Sequence, residues 1–237
     1  MAEPIQSGRV VRVRTLTPHV RELVLAPEKP IAFQPGQWVS LKLPVGATPP
    51  MNRAYSMAEP EAASGHLVLV LDRVPSGLGS RYLFALREGD QITLSGPYGN
   101  FLLPDPLTKE LVFIARYTGI VPIHCILAHL VSHPAPHPVL LIVSSPSQSE
   151  RLYHEEFAAL AANRPNFRYV SRVPESAEPD TIESEVQATM DLLKGQTGGR
   201  RDFVPMICGL KAFVRPLRAY FMELGFDRKA VRVETYD

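Results

Sequence analysis

The sequence predicts an antiparallel β-barrel over residues 1–104, followed by a Rossmann-like, doubly wound parallel α/β half over 105–237. Two observations carry this. The first hundred residues hold short apolar–polar alternations cut by Gly and Pro, the pattern of small antiparallel strands. After Phe101 the pattern changes to uninterrupted apolar runs separated by stretches of helical spacing, as a parallel sheet covered on both faces requires.

The elements follow in order. Val39, Leu41 and Leu43 alternate with Trp38, Ser40 and Lys42, which makes a half-buried strand. Leu67 to Leu71 is an apolar run between turn signals, and Gln91-Ile92-Thr93-Leu94 is a short strand. Pro35-Gly36, Glu88-Gly89-Asp90 and Pro97-Tyr98-Gly99 mark turns. Pro104 and Pro106 sit in a polar connector. Leu111 to Ala115 and Val139 to Val143 read as buried strands. Ile123, Ile126, Leu127 and Leu130 have helical spacing, and Tyr153 to Ala162 is a second helix. Phe167 to Val170, Val204 to Cys208 and Val231 to Val233 complete the series. Ser144 to Glu150 and Pro174 to Thr181 are polar loops.

Composition narrows the function. The chain has 237 residues, an apolar share of 45% and a net charge of +1, so it can bury a real core and carries no general field for nucleic acid or anionic membrane. Its two cysteines, Cys125 and Cys208, are too few for an iron–sulfur cluster, which needs four ligands. The first fifteen residues lack an apolar signal core and no apolar run reaches membrane-spanning length, so a soluble cytoplasmic protein is expected.

Three short motifs carry chemistry. In Arg53-Ala54-Tyr55-Ser56 the cation and the ring share one face of an extended segment, where they can hold phosphate and stack on a planar group. Ser56 adds a small donor and acceptor beside them. Gly77-Leu78-Gly79-Ser80 lets backbone amides approach a second phosphate group. Cys208-Gly209 ends a buried strand. Taken singly, each has a plain alternative: a surface arginine, a turn, a small apolar filler.

In sequence order, these motifs resemble the ferredoxin–NADP reductase family: Arg-x-Tyr-Ser for flavin, Gly-x-x-Ser for pyrophosphate, Cys-Gly beside nicotinamide. Phe33-Gln34-Pro35-Gly36-Gln37 resembles the turn before the flavin strand, and Gly96 to Phe101 the close of the barrel. The resemblance implies FAD bound by Arg53, Ala54, Tyr55, Ser56, Gly77, Leu78, Gly79, Ser80 and Tyr236. It implies NADP(H) bound by Arg116, Tyr117, Thr118, Gly119, Ser171, Arg172, Cys208 and Gly209. Ser56, Cys208, Glu234 and Tyr236 would be the catalytic set, Glu234 linking to the serine and Tyr236 stacking over the flavin. Asp237 follows as an extra charged residue.

One stretch departs from the family. Arg116-Tyr117-Thr118-Gly119-Ile120-Val121-Pro122 has Arg116 and Tyr117 where the family has two glycines. Bulk there can obstruct the pyrophosphate, or Arg116 can supply charge to it. His129, His133 and His137 lie around helix-breaking prolines, and no metal site is assigned. The implied function is FAD-dependent electron transfer between NADPH and a separate carrier, ferredoxin or flavodoxin, by a monomer. Two alternatives stay open: the reductase component of an oxygenase, and a flavin-binding subunit that uses no nicotinamide.

Overall fold

The structure is a computed structural model that describes residues 4–46, 50–60, 64–132, 137–175 and 181–236. His133, Asp237 and part of the Pro174 to Thr181 loop lie outside the described residues. Two compact units are present: Met1–Leu103 with His124–His133, and Pro104–Ile123 with Pro134–Asp237.

The first unit contains β1 (Gln6–Thr17), β2 (Val20–Pro27), β3 (Trp38–Leu43), β4 (Met51–Ser56), β5 (Leu67–Asp72), α1 (Leu78–Ala85) and β6 (Gln91–Tyr98). The strands form one antiparallel sheet in the order β4-β3-β6-β1-β2-β5. Its two ends meet where Met57 bridges Leu69, and Ala58 N–H donates to the Val68 carbonyl at 2.8 Å. The sheet thus curls into a barrel. β3 shows why the alternation matters. Val39, Leu41 and Leu43 are fully buried, in one cluster with Leu23, Leu25, Leu69 and Leu94. A slip of one residue would put all three in water, at about 1.5–3 kcal/mol each, so the register is fixed. The turn before β3 is set by Gly36 at φ +100°, where a Cβ would collide with the Phe101 carbonyl.

The second unit contains β7 (Glu110–Arg116), α2 (Ile120–Ser132, its first four residues), β8 (Val139–Ser144), α3 (His154–Asn163), β9 (Phe167–Arg172), α4 (Ile182–Thr197), β10 (Phe203–Leu210), α5 (Lys211–Glu223) and β11 (Arg232–Tyr236). All its strand pairs are parallel, in the order β11-β10-β7-β8-β9. The chain builds outward from β7 to β8 and β9, then returns to β7's other side with β10 and β11. That reversal places a switch point at the carboxyl ends of β7 and β10, where open α/β sheets bind ligands. β7 and β8 are almost wholly buried, which explains their unbroken apolar runs. Val186 and Leu193 of α4 and Phe213, Val214, Leu217 and Phe221 of α5 join the core against them.

Candidate functional site

Each unit carries a candidate site of its own. In the first unit, the β3–β4 register sets Arg53 opposite Leu41 and Tyr55 opposite Val39, so both side chains stand on one face of β4. Arg53 is exposed, Tyr55 half-buried and Ser56 buried. Burial pushes the Tyr55 hydroxyl pKa up; Asp72 adds to this and Arg53 opposes it. The hydroxyl therefore stays protonated, and the ring stays neutral. The N-terminal turn of α1 lies against the same face: a Cβ on Gly79 would be 3.0 Å from Leu43 Cδ1 and 3.7 Å from Arg53 Cγ. The two motifs that are far apart in sequence thus adjoin in space.

The start of α1 is built to present amides. Gly77 at its N-cap supplies no side-chain hydrogen bond, and no acidic residue occupies the first turn. Its leading N–H groups and positive dipole end suit an anion. The Ser80 hydroxyl accepts from Val74 N–H at 2.9 Å and donates to the Asp72 carbonyl at 3.4 Å. It closes the loop that carries Gly77, so Ser80 offers a ligand its amide. A cation and a flat neutral ring on one face of β4, with uncapped amides against it and a buried hydroxyl on the next residue, fit a flavin nucleotide.

In the second unit, Arg116, Ser144 and Arg172 end β7, β8 and β9 side by side in register. A short 3₁₀ turn, Tyr117–Gly119, leads from β7 into α2. Tyr117 has φ +48°, a conformation that a glycine takes without cost. A Cβ on Gly119 would collide with the Cys208 carbonyl, and one on Gly209 would be 2.9 Å from Arg116 Cβ. The ends of β7 and β10 therefore meet through glycine. This open turn at a helix start, facing a row of strand ends with two arginines, fits a dinucleotide.

The two residues that replace family glycines are both tied down. Arg116 Nε donates to Glu185 Oε2 at 2.8 Å, and Tyr117 OH donates to Glu150 Oε2 at 2.7 Å. Arg172 Nη1 donates to Ser144 Oγ at 3.3 Å. Ser171 hydrogen-bonds the Tyr169 side chain, whose hydroxyl pKa is raised chiefly by burial. Glu150 and Glu185 are buried and were not singled out in the sequence. A signal for Glu185 did exist. It lies within the buried stripe of Val186, Thr189 and Leu193 on α4, where an unpaired carboxylate would be costly.

Cys208, Glu234 and Tyr236 come together on β10 and β11, with Cys208 opposite Glu234 and Leu210 opposite Tyr236. Burial pushes the Cys208 thiol up, and the Tyr236 side chain hydrogen-bonds it. Burial thus favours the neutral thiol. Burial raises the Glu234 carboxyl to about 7. Ser56 belongs to the first unit, and these three residues belong to the second.

The two halves match different domain families. Residues 7–102 match the oxidoreductase FAD-binding domain, and residues 113–218 match the oxidoreductase NAD-binding domain. The chain is 34% identical over 245 residues to ferredoxin–NADP reductase B of Sorangium cellulosum, across 100% of this chain and 99% of that protein. It is 28% identical over 217 residues to the reductase component of phenol 2-monooxygenase from a Pseudomonas strain, across 88% of this chain and 60% of that longer protein. Among solved structures, the cytochrome P450 reductase of Amycolatopsis superposes with a TM-score of 0.81 at 25% identity, over 98% of this chain and 70% of that one. The ferredoxin–NADP reductase of Plasmodium falciparum gives 0.81 over 97% and 95%, and at 18% identity it speaks for the fold alone. The two domain matches define an FAD- and nicotinamide-binding oxidoreductase. The chain belongs to the ferredoxin–NADP reductase family.

Proposed function

We propose that this chain is an FAD-dependent reductase that moves electrons between NADPH and a separate one-electron carrier, ferredoxin or flavodoxin. The observation that carries the reading is the end-to-end likeness to the Sorangium reductase, which spans both candidate sites. The carrier is read as a separate protein, since Cys125 and Cys208 fall two short of the four thiolates that a ferredoxin-type cluster takes. Bound flavin would supply the exchange between hydride and single electrons. The residues do the rest. Arg53 and the amides of Gly77 to Ser80 would hold the phosphates, Tyr55 and Tyr236 would cover the ring, and Ala54 would leave the strand backbone open to it. Ser56 would supply a hydroxyl near the reacting part of the flavin. Thr118, Gly119 and Gly209 would make room for the nicotinamide nucleotide against Cys208, and Ser171 and Arg172 would bind its 2′-phosphate. Glu234, near neutral pH, would hold or release a proton close to that cysteine. We assign residues 1–104 to FAD and 105–237 to NADP(H), and read the protein as a cytoplasmic monomer. Among the described residues no helix is long and apolar enough to cross a membrane.

A second reading, the reductase component of an oxygenase, draws on the likeness to the phenol 2-monooxygenase component. Anaerobic stopped-flow mixing tests both. NADPH should bleach the flavin faster than NADH, and reduced protein should then pass electrons to ferredoxin or flavodoxin. Transfer to a Rieske-type ferredoxin alone would favour the oxygenase reading. Flavin that neither nucleotide bleaches would defeat both.

A further inference from the structure

At the nucleotide edge of the second unit one buried carboxylate governs two arginines. Arg116, Ser144 and Arg172 stand in register on adjacent strands. Glu185, in the first turn of α4, reaches over them. Its Oε2 accepts from Arg116 Nε at 2.8 Å and its Oε1 accepts from Ser144 Oγ at 2.6 Å. The serine oxygen in turn accepts from Arg172 Nη1 at 3.3 Å. The order of donors is fixed. Arginine can only donate and an ionised carboxylate can only accept, so the hydroxyl must point its proton at Glu185 and its lone pair at Arg172. Glu185 is 5% exposed and Arg116 keeps 23% of its side chain exposed, so this is a sheltered pair whose geometry decides where the guanidinium points.

We propose that Glu185 is a positioning residue for nucleotide selectivity. It holds the Arg116 guanidinium by its Nε and cancels its charge. It also orients Arg172, through Ser144, toward a 2′-phosphate. The edge thereby keeps Arg116 back from the pyrophosphate turn and fixes the direction of Arg172. This resolves what Arg116 does where the family has glycine: it is neither an obstruction nor a phosphate ligand while Glu185 holds it. The inference rests on the NADP reading above.

Isothermal titration of the flavin-loaded protein with 2′-phospho-AMP and with AMP tests it without turnover. Wild type should prefer 2′-phospho-AMP. In Glu185→Gln the preference should fall at least fivefold, and AMP affinity should hold or rise because Arg116 is released toward phosphate. Ser144→Ala removes the hydroxyl that links Glu185 to Arg172 and leaves the Arg116–Glu185 bond in place; it should lower the preference while leaving AMP affinity within twofold. If Glu185→Gln does not fold, Ser144→Ala decides alone. A wild-type preference that survives intact in the folded variants overturns the role of Glu185. Equal loss of both ligands in Ser144→Ala overturns it too, as mere structural damage. No preference in wild type defeats the NADP reading itself, and the inference with it.

Discussion

Arg53 is exposed on β4, and its Nη1 donates to the neighbouring Asn52 carbonyl at 2.9 Å. That bond can be exchanged for a phosphate at little cost, because a surface guanidinium gains little from a local carbonyl. Arg53→Ala should weaken FAD by about 1.5–3 kcal/mol, the worth of a charge-assisted contact. Titration of flavin-free protein would measure it, and unchanged affinity would remove Arg53 from the phosphate site. Glu234 gives a second residue-scale test. Burial raises its carboxyl from the ordinary 4.5 to about 7. A raised folded-state value means the protonated form is favoured in the fold. The group therefore costs no stability below about pH 4.5, and its cost grows as pH rises toward 7. Thermal midpoints of wild type and Glu234→Gln should converge near pH 4.5, with wild type falling progressively below the variant up to about pH 7 and the gap level above that. A gap independent of pH would show that the raised value is wrong.

Among the elements, those with one clean period were legible. β3, β5, β7 and β8 stand where alternation or an unbroken apolar run put them. β1 and β2 were not read, because Arg9, Arg12 and Arg14 interrupt the apolar pattern. In the fold Arg12 and Arg14 close on the buried Glu22, so the strand carries cations outward over a buried anion. α4 was missed because its apolar stripe includes Glu185 and Thr189, both satisfied only by tertiary partners. The start of α1 was read as a turn; its glycines open a helix. The candidate residues were legible as motifs, while the partners of Arg116 and Tyr117 were not, since Glu185 and Glu150 are distant in sequence. The turn after β7 offers a test at this scale. Gly119→Ala forces a methyl onto the Cys208 carbonyl. Backbone cannot yield as a side-chain tip does, so urea unfolding should show a loss of about 1–3 kcal/mol. No loss would mean that β7 and β10 can part there freely.

On the scale of the whole molecule, the first unit is not one continuous stretch. Its buried cluster includes Cys125, and His124 Nδ1 lies 2.6 Å from the Ala58 carbonyl. The packing of Ile126 against the Gly36 turn adds to this. A fragment ending at residue 104, the boundary read from the sequence, would leave that surface uncovered. It should unfold without a cooperative transition and hold FAD at least tenfold more weakly than the intact chain. Circular dichroism and flavin fluorescence would report both. A fragment that melts sharply and binds flavin like the full chain would show that residues 124–132 are dispensable to the barrel.

The same discontinuity has a consequence for the order in which the protein is made. β7, whose residues 110–115 are all buried in the finished fold, emerges from the ribosome before the helical segment that completes the barrel. At roughly 5–20 residues per second, the stretch from 103 to 132 takes on the order of 2–6 s. Its strand partners β8 and β10 come later still. Until those partners arrive a newborn chain displays an apolar strand with two open edges, so synthesis is a period in which this protein needs protection from aggregation.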